Sequence, residues 1–180
     1  SHTGALAGSD QAYEAGLEQA GVLRVTTVEE LFDFASILAG QSLPTGSNVG
    51  IVTNAGGPGV MATDAVGDAD LTLATFADET VTSLQEALPA EANVYNPVDV
   101  VGDADNDRFE TAIDLVLGDP NVDAAVVLSC PTATIDFEPL ADVIVDCQAI
   151  HETPVGVTLM GGQSTHSARA RLHDADIPTY

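Results

Sequence analysis

One stretch of the chain, from Val49 to Val60, combines the residue types that bind an anion through backbone groups. Its apolar β-branched residues predict a strand that is covered on both faces. Three glycines follow, at Gly56, Gly57 and Gly59. Because glycine has no Cβ, its N–H can approach a ligand closely, and the positive end of a helix dipole favours an anion there. We therefore predict an anion-binding turn, with Pro58 in a first helical turn and the helix beginning near Gly59.

The glycine spacing alone does not identify the ligand. It fits neither GxGxxG nor the phosphate loop GxxxxGK[ST]. A second interpretation stays open at this point, in which the glycines only let the strand turn tightly into its helix.

The charge of the chain is strongly one-sided. Its 28 acidic residues stand against 4 arginines and no lysine, which gives a formal net charge of -24. Since 45% of the residues are hydrophobic and occur in periodic segments, we expect a folded protein with the acid on its surface. Such a surface is stable where counterions screen its self-repulsion, so we predict a halophilic protein from a salt-rich cytoplasm.

The same charge excludes several classes of partner. Neither a phosphate backbone nor an anionic membrane attracts this surface, so we expect no nucleic-acid or membrane partner. The sequence shows no apolar run of transmembrane length and no secretory signal. Cys130 and Cys147 have no metal-ligand spacing, and we predict that both are small buried hydrophobes. No metal site is predicted.

Strands and helices alternate from Val49 onward, which predicts an α/β fold with a flavodoxin-like, doubly wound parallel sheet. The predicted strands are Val49–Thr53, Leu71–Thr75, Ala124–Leu128, Val155–Leu159 and one that starts at Ile177. The predicted helices are Val60–Val66, Asp78–Leu88, Asp107–Leu117, Phe137–Ile150 and Thr165–Asp174, with Gly67 and Gly118 as stops. Residues 89–105 are either a long ordered loop or a short edge strand around Val98–Val101.

The first 47 residues have a different organisation. A helix over Asp10–Ala20 is predicted to stop at Gly21, and Val22–Val25 reads as a short strand. Thr27 and Glu30 have the spacing of a capping box, which opens a helix ending near Gly40. Residues 41–47 contain proline and glycine and form the predicted linker. We also expect both ends of the chain to be cuts in a longer polypeptide.

Four stretches, in this order, resemble the nucleoside-diphosphate-forming acyl-CoA synthetases, the group that contains succinyl-CoA synthetase and ADP-forming acetate–CoA ligase. They read SHTGALAGS from Ser1, IVTNAGGPG from Ile51, NPVDVVGDA from Asn96 and DPNVDA from Asp119. The resemblance spans nearly the whole chain. It implies that residues 1–40 end one ligase domain, that 41–47 are a linker, and that 48–180 are most of a second flavodoxin-like ligase domain.

The resemblance also implies a reaction. In this family, acyl-CoA and phosphate give an acyl phosphate, a histidine takes the phosphoryl group, and a mobile loop delivers it to ADP. His2 matches that histidine, and a neutral imidazole is nucleophilic enough to accept and return a phosphoryl group. CoA, ATP or ADP and Mg are expected on CoA-binding and ATP-grasp domains or subunits that this segment lacks. We expect an oligomer that handles a small carboxylate or phosphate.

Within this framework the glycine turn, defined here as Asn54–Gly59, is the expected anion cradle. The expected phosphate-binding positions are Asn54, Ala55, Gly56, Gly57 and Gly59. Backbone N–H groups are predicted to supply most donors, with Asn54 adding a side-chain donor. Asp99 is predicted to order the neighbouring loop.

Two alternatives accompany this interpretation. In one alternative, the segment is a non-catalytic regulatory module that binds an anion or carboxylate, as in an acetyltransferase-fused relative. Ser1 and His2 also fit the scar of an expression tag, although the next seven residues continue the family motif. Gly161 and Gly162 follow a predicted strand at the same sheet edge, where either a ligand contact or a plain turn explains them.

Overall fold

The computed structural model describes residues 10–69 and 71–180, with only the backbone of Glu29. The chain divides into two compact units, residues 1–35 and 36–180. His2 lies outside the described residues. The described residues include both predicted helices before residue 41 and every predicted strand from Val49 onward.

In the first unit, helix α1 (Asp10–Gln19) ends in a Schellman motif. Gly21 has a φ of 67°, and the Val22 N–H donates to the Leu17 carbonyl at 2.9 Å. Gly21 is thus the helix stop that the sequence predicts. The predicted strand Val22–Val25 is wrong, because this exposed segment completes the helix end and pairs with no strand in the described part of the chain.

The capping box at the start of helix α2 (Val28–Gly40) is confirmed. The Glu30 N–H donates to Thr27 Oγ1 at 3.0 Å, and the Glu30 carboxylate accepts from the Thr27 N–H at 3.3 Å. These reciprocal bonds satisfy backbone donors that a helix start otherwise leaves free.

The second unit is built on the predicted parallel sheet. Its strands are β1 (Asn48–Thr53), β2 (Thr72–Leu73), β3 (Val98–Asp99), β4 (Ala124–Ser129) and β5 (Val155–Leu159). The order is β2-β1-β4-β5, with β3 also paired to β1, and Thr179 adds one parallel bridge beside Val157. The flavodoxin-like α/β fold class is confirmed.

One edge position of the sheet is shared by two very short strands. β2 pairs with β1 at Asn48 and Val49, whereas β3 pairs with it at Val52 and Thr53. Between them, the Asn96 side chain accepts from the Ile51 N–H at 3.0 Å and donates to the Val49 carbonyl at 2.7 Å. The predicted strand Leu71–Thr75 is therefore shortened, and the segment left open around Val98 is a short edge strand.

Five helices follow β1. They are α3 (Gly56–Asp68), α4 (Asp78–Ala87), α5 (Asn106–Leu117), α6 (Phe137–His151) and α7 (His166–Asp174), the last preceded by a 3₁₀ turn over Gly162–Thr165. Gly118 caps α5 as predicted, but Gly67 is not a stop, since it lies inside α3. Helix α3 also begins at Gly56 rather than near Gly59, because its first turn needs no intrahelical donors and so accommodates both Gly56 and Pro58.

The core has two parts, one on each side of the sheet. The larger part is formed under α4, α5, α6 and α7, and includes the fully buried Phe109, Ile113 and Leu140. The smaller part lies under α3 and comprises Val49, Ile51, Val66 and Leu128. Burial of these apolar side chains is the dominant favourable term in folding and fixes α3 on the carboxyl end of β1.

Candidate anion-binding site

The glycine turn lies where the strand order of the sheet changes direction. From β1 the chain first adds β2 and β3 on one side, and later adds β4 on the other. In open α/β sheets, ligands bind outside the carboxyl ends of the strands at such a switch point. Thr53 is the last residue of β1 and Gly56 is the first of α3, so the turn occupies this position.

Two backbone N–H groups of the turn have no acceptor in the described part of the chain. The Ala55 N–H donates to Thr53 Oγ1 at 3.1 Å, and the Gly59 N–H donates to the Ala55 carbonyl at 3.2 Å. Pro58 has no N–H. Among the described residues, the N–H groups of Gly56 and Gly57 have no acceptor, and both glycines are exposed. They are therefore the donors that an anion can reach.

Gly59 has a packing role instead. It is buried, and a Cβ at this position would lie 3.1 Å from Thr53 Cγ2 and 3.6 Å from Pro97 Cγ. The absence of a side chain lets the first turn of α3 rest against the end of β1. This contact aims the helix start, whereas Gly56 and Gly57 present the donors.

Asn54 joins the carboxyl ends of β1 and β4. It is 3% exposed, its Nδ2 donates to the Cys130 carbonyl at 3.0 Å, and its Oδ1 accepts from the Cys130 N–H at 2.8 Å. Because both polar atoms of the side chain bond Cys130, Asn54 holds the two strand ends together, and its Nδ2 already donates to a protein carbonyl.

Asp99 lies beside the free donors. Its Oδ1 accepts from the Val101 N–H at 2.9 Å, and its Oδ2 is 3.6 Å from the position of a Cβ on Gly56. Val101 has a φ of 71°, which is strained for a β-branched residue. The carboxylate thus contacts its own loop, and it places a negative charge near the start of α3.

Sequence reasoning missed Arg108, which holds the same loop from α5. Its Nη1 donates to the Val100 carbonyl at 3.1 Å and to Asp103 Oδ1 at 2.6 Å. The sequence offered one signal for this residue, which is that the chain contains only four arginines and no lysine. The Val100 N–H in turn donates to the Thr53 carbonyl at 2.8 Å, so the loop is tied to the end of β1.

The two cysteines differ from each other. Cys147 is buried as predicted, and burial, together with the charges of Asp114, Glu110 and Asp146, raises the pKa of its thiol to about 12. Cys130 is only half-buried, contrary to the prediction, because it lies at the open carboxyl end of β4, where its Sγ is 3.5 Å from Met160 Sδ.

The turn after β5 is explained by packing. A Cβ on Gly161 would lie 2.8 Å from Ser164 Oγ and 3.1 Å from a Phe137 ring carbon, while Gly162 has a φ of 58°.

The described residues contain no cluster of three or more His, Cys, Asp or Glu side chains suited to a metal ion. Among them there is also no helix long and apolar enough to cross a membrane.

Comparison with protein-family models gives two matches. Residues 1–38 match the succinyl-CoA ligase-like flavodoxin domain. Residues 49–180 match the Ligase-CoA domain.

Curated relatives cover the whole chain. It is 43% identical to acetate–CoA ligase (ADP-forming) I of Archaeoglobus fulgidus over 180 residues, which is 25% of that protein. It is 40% identical to 4-hydroxybutyrate–CoA ligase (ADP-forming) of Nitrosopumilus maritimus, of which it covers 26%. It is 39% identical to the alpha subunit of acetate–CoA ligase (ADP-forming) I of Pyrococcus furiosus, of which it covers 39%. The chain thus spans a quarter to two-fifths of these relatives.

Solved structures show the same relationship. One is the dinucleotide-forming acetyl-coenzyme A synthetase 1 of Candidatus Korarchaeum cryptofilum in complex with phosphate and ADP. It superposes on this chain with a TM-score of 0.92 at 32% sequence identity. The match covers 99% of this chain and 39% of that one. The fold and these matches agree, and the chain belongs to the family of nucleoside-diphosphate-forming acyl-CoA synthetases, with a Ligase-CoA domain over residues 49–180.

Proposed function

We propose that this chain is the phosphoryl-carrying segment of an ADP-forming acyl-CoA synthetase of the acetate–CoA ligase type. The complete enzyme interconverts acyl-CoA, ADP and phosphate with the free acid, CoA and ATP. The observation that carries this proposal is the pair of free N–H groups of Gly56 and Gly57 at the sheet switch point of a chain from this family. The activity named for its relatives supports the reaction class.

The proposed chemistry has three balanced steps. Phosphate displaces CoA from acyl-CoA and forms acyl phosphate. A neutral His2 imidazole nitrogen then attacks the phosphorus, and the P–O bond to the carboxylate breaks, which releases the acid. Finally, a terminal oxygen of ADP attacks the same phosphorus, the P–N bond breaks, and ATP and the neutral histidine are formed.

The glycine turn has a defined task in this scheme. Phosphohistidine carries roughly two negative charges in a protein of net charge -24, so it needs donors that the surface does not supply. Backbone N–H groups at a helix start provide them without a lysine. Asn54 and Gly59 fix the turn, and Gly56 and Gly57 contact the phosphoryl oxygens.

The remaining parts of the enzyme lie on other domains. We propose that residues 1–40 complete one ligase domain, that 41–47 link it, and that 48–180 belong to a second. CoA and the Mg complexes of ATP and ADP bind CoA-binding and ATP-grasp domains, fused or on partner subunits of an oligomer. The alpha-subunit relative supports such a division.

We also propose a salt-rich cytoplasm as the working environment, on the basis of the net charge of -24 and the absence of lysine. Thermal unfolding followed by circular dichroism tests this. The melting temperature is expected to rise as KCl is increased from 0.1 M to 2 M, and equal melting temperatures at both concentrations would remove the basis for this proposal.

Phosphorylation of His2 in the complete parent protein tests the function. The protein and its ATP-grasp partner are incubated with Mg-ATP, and peptide mass spectrometry measures an acid-labile phosphate. We expect phosphate on His2 that ADP removes, none in His2→Ala, and normal labelling in the matched control His151→Gln, whose native side chain contacts Asp114. An unphosphorylated His2 in a folded, partner-bound enzyme would instead favour the non-catalytic anion-binding module.

A further inference from the structure

Three of the four arginines in this protein are neutralised by carboxylates. Arg24 bonds Asp10 and Glu14, Arg108 bonds Asp103, and Arg171 bonds Asp142. Arg169 differs, because it has no ion-pair or hydrogen-bond partner among residues 10–69 and 71–180. An exposed guanidinium that remains unpaired in so acidic a chain is available to a ligand.

Arg169 is accompanied by two histidines on the same helix. His166, Arg169 and His173 are separated by three and four positions along α7, and this spacing places them on one helix face. Together with Gly162, Ala170 and Thr179 they line a cleft of about 470 Å³. The rings of both histidines also have no hydrogen-bond or ion-pair partner within the described chain, and no carboxylate from it lines the cleft.

A second cleft shows how unusual this lining is. It lies between α4, α5 and α6, has a volume of about 580 Å³, and contains no arginine or histidine in its wall. Its acidic lining residues are Glu86, Glu110, Asp114 and Asp146. An anion is repelled there, whereas the α7 cleft presents donors and one fixed positive charge.

We propose that the α7 cleft binds the phosphate group of a small molecule. The planar fork of a guanidinium matches the oxygens of phosphate and can donate two parallel hydrogen bonds. The rings of His166 and His173 and the Thr179 hydroxyl add donors around it, while Gly162 and Ala170 leave the space open. The volume is within the range of small-molecule sites.

This site is separate from the glycine turn in both its elements and its chemistry. The turn presents backbone N–H groups at the start of α3, whereas the α7 cleft presents side chains. The inference therefore goes beyond the proposed function and does not depend on phosphorylation of His2. Three sources carry the required phosphate group: inorganic phosphate, the diphosphate of ADP, and the phosphates of CoA.

Arg169→Gln, compared with Arg171→Gln, tests the proposal. Both residues lie on α7, but Arg171 bonds Asp142 at 2.7 Å and does not line the cleft. Calorimetric titrations of the complete parent protein use inorganic phosphate, ADP and CoA separately at constant ionic strength. Loss of a charge-assisted contact predicts at least about tenfold weaker binding of one probe in Arg169→Gln, and a change of less than about twofold in Arg171→Gln.

The outcomes separate the sources and the competing explanations. The probe whose affinity falls only in Arg169→Gln identifies the source of the phosphate. If no probe is weakened in Arg169→Gln, or if both variants weaken binding equally, the cleft is not a phosphate site. Circular dichroism of both variants verifies that they are folded.

Discussion

The starts of helices α3 and α5 differ in whether a side chain accepts from their backbone N–H groups. At α5, the Asp105 side chain accepts from the Arg108 N–H at 3.0 Å. At α3, the N-cap residue is Ala55, which has no side-chain acceptor, and the N–H groups of Gly56 and Gly57 stay free among the described residues. A capped helix start gains stability, whereas an uncapped one keeps its donors for a ligand.

Giving α3 a cap tests this difference most directly. In Ala55→Ser, the hydroxyl is expected to accept from the Gly57 N–H, because Pro58 has no N–H to offer. We expect the free energy of unfolding to rise by about 0.5–1 kcal/mol and the rate of His2 phosphorylation to fall at least tenfold, roughly the effect of losing one donor to a developing anion. Urea unfolding and rapid-quench labelling measure the two effects.

Removing the cap of α5 is the matched control. Asp105→Ala is expected to lower the free energy of unfolding by about 0.5–2 kcal/mol with no change in the phosphorylation rate. A more stable Ala55→Ser protein with unchanged phosphorylation would show that the donors of α3 do not contact the phosphoryl group.

Packing against β1 gives the second prediction. Gly59→Val places methyl groups against Thr53 and Pro97, and overpacking is expected to lower the free energy of unfolding by about 1–3 kcal/mol. Gly57→Ala is the control, because nothing lies within 4 Å of its Cβ position, and we expect a change of less than about 0.5 kcal/mol. Equal destabilisation by the two substitutions in urea unfolding would refute a packing role specific to Gly59.

The smallest expected effect concerns the capped start of α2. Backbone and side-chain hydrogen bonds from Thr26, and a further bond from the Thr27 N–H, lower the pKa of Glu30. Since the folded-state pKa is below the unfolded value, the stabilisation is present above about pH 4.3 and is lost as the pH falls through the folded pKa.

Amide hydrogen exchange measures this effect. In the unmodified protein, protection of the Thr26 N–H, which bonds Glu30 at 2.6 Å, is expected to decrease as the pH is lowered below about 4.3. In Glu30→Gln we expect weak protection at every pH. The same pH profile in both proteins would mean that the Glu30 carboxylate does not cap α2.

The sequence was sufficient for the features that depend on local pattern. Alternating apolar segments predicted the parallel sheet, and the spacing of Thr27 and Glu30 predicted a cap that the structure contains. The start of α3 was placed too late because glycine and proline in a first helical turn resemble a loop in sequence. The predicted strand at Val22–Val25 failed because a strand needs a paired neighbour, which local propensity does not reveal.

Contacts between distant residues were beyond the sequence. Asn54 and Cys130 are 76 positions apart, so no local spacing indicates that one clamps the other. The attachment of Arg108 to the Val100 carbonyl likewise depends on how α5 packs against the loop that follows β3. The anion-binding prediction at Gly56 and Gly57 rested on local backbone chemistry and remains a prediction until a ligand is measured.

The divided edge of the sheet has a consequence for solubility. An edge strand with a continuous row of free N–H and C=O groups can pair with another molecule and begin aggregation. Concentrated salt screens the charge repulsion that otherwise keeps acidic proteins apart. Here β2 and β3 contribute only two residues each, and the Asn96 amide interrupts the row of backbone groups between them. This edge is therefore too short a template for strand pairing with a neighbouring molecule at any ionic strength.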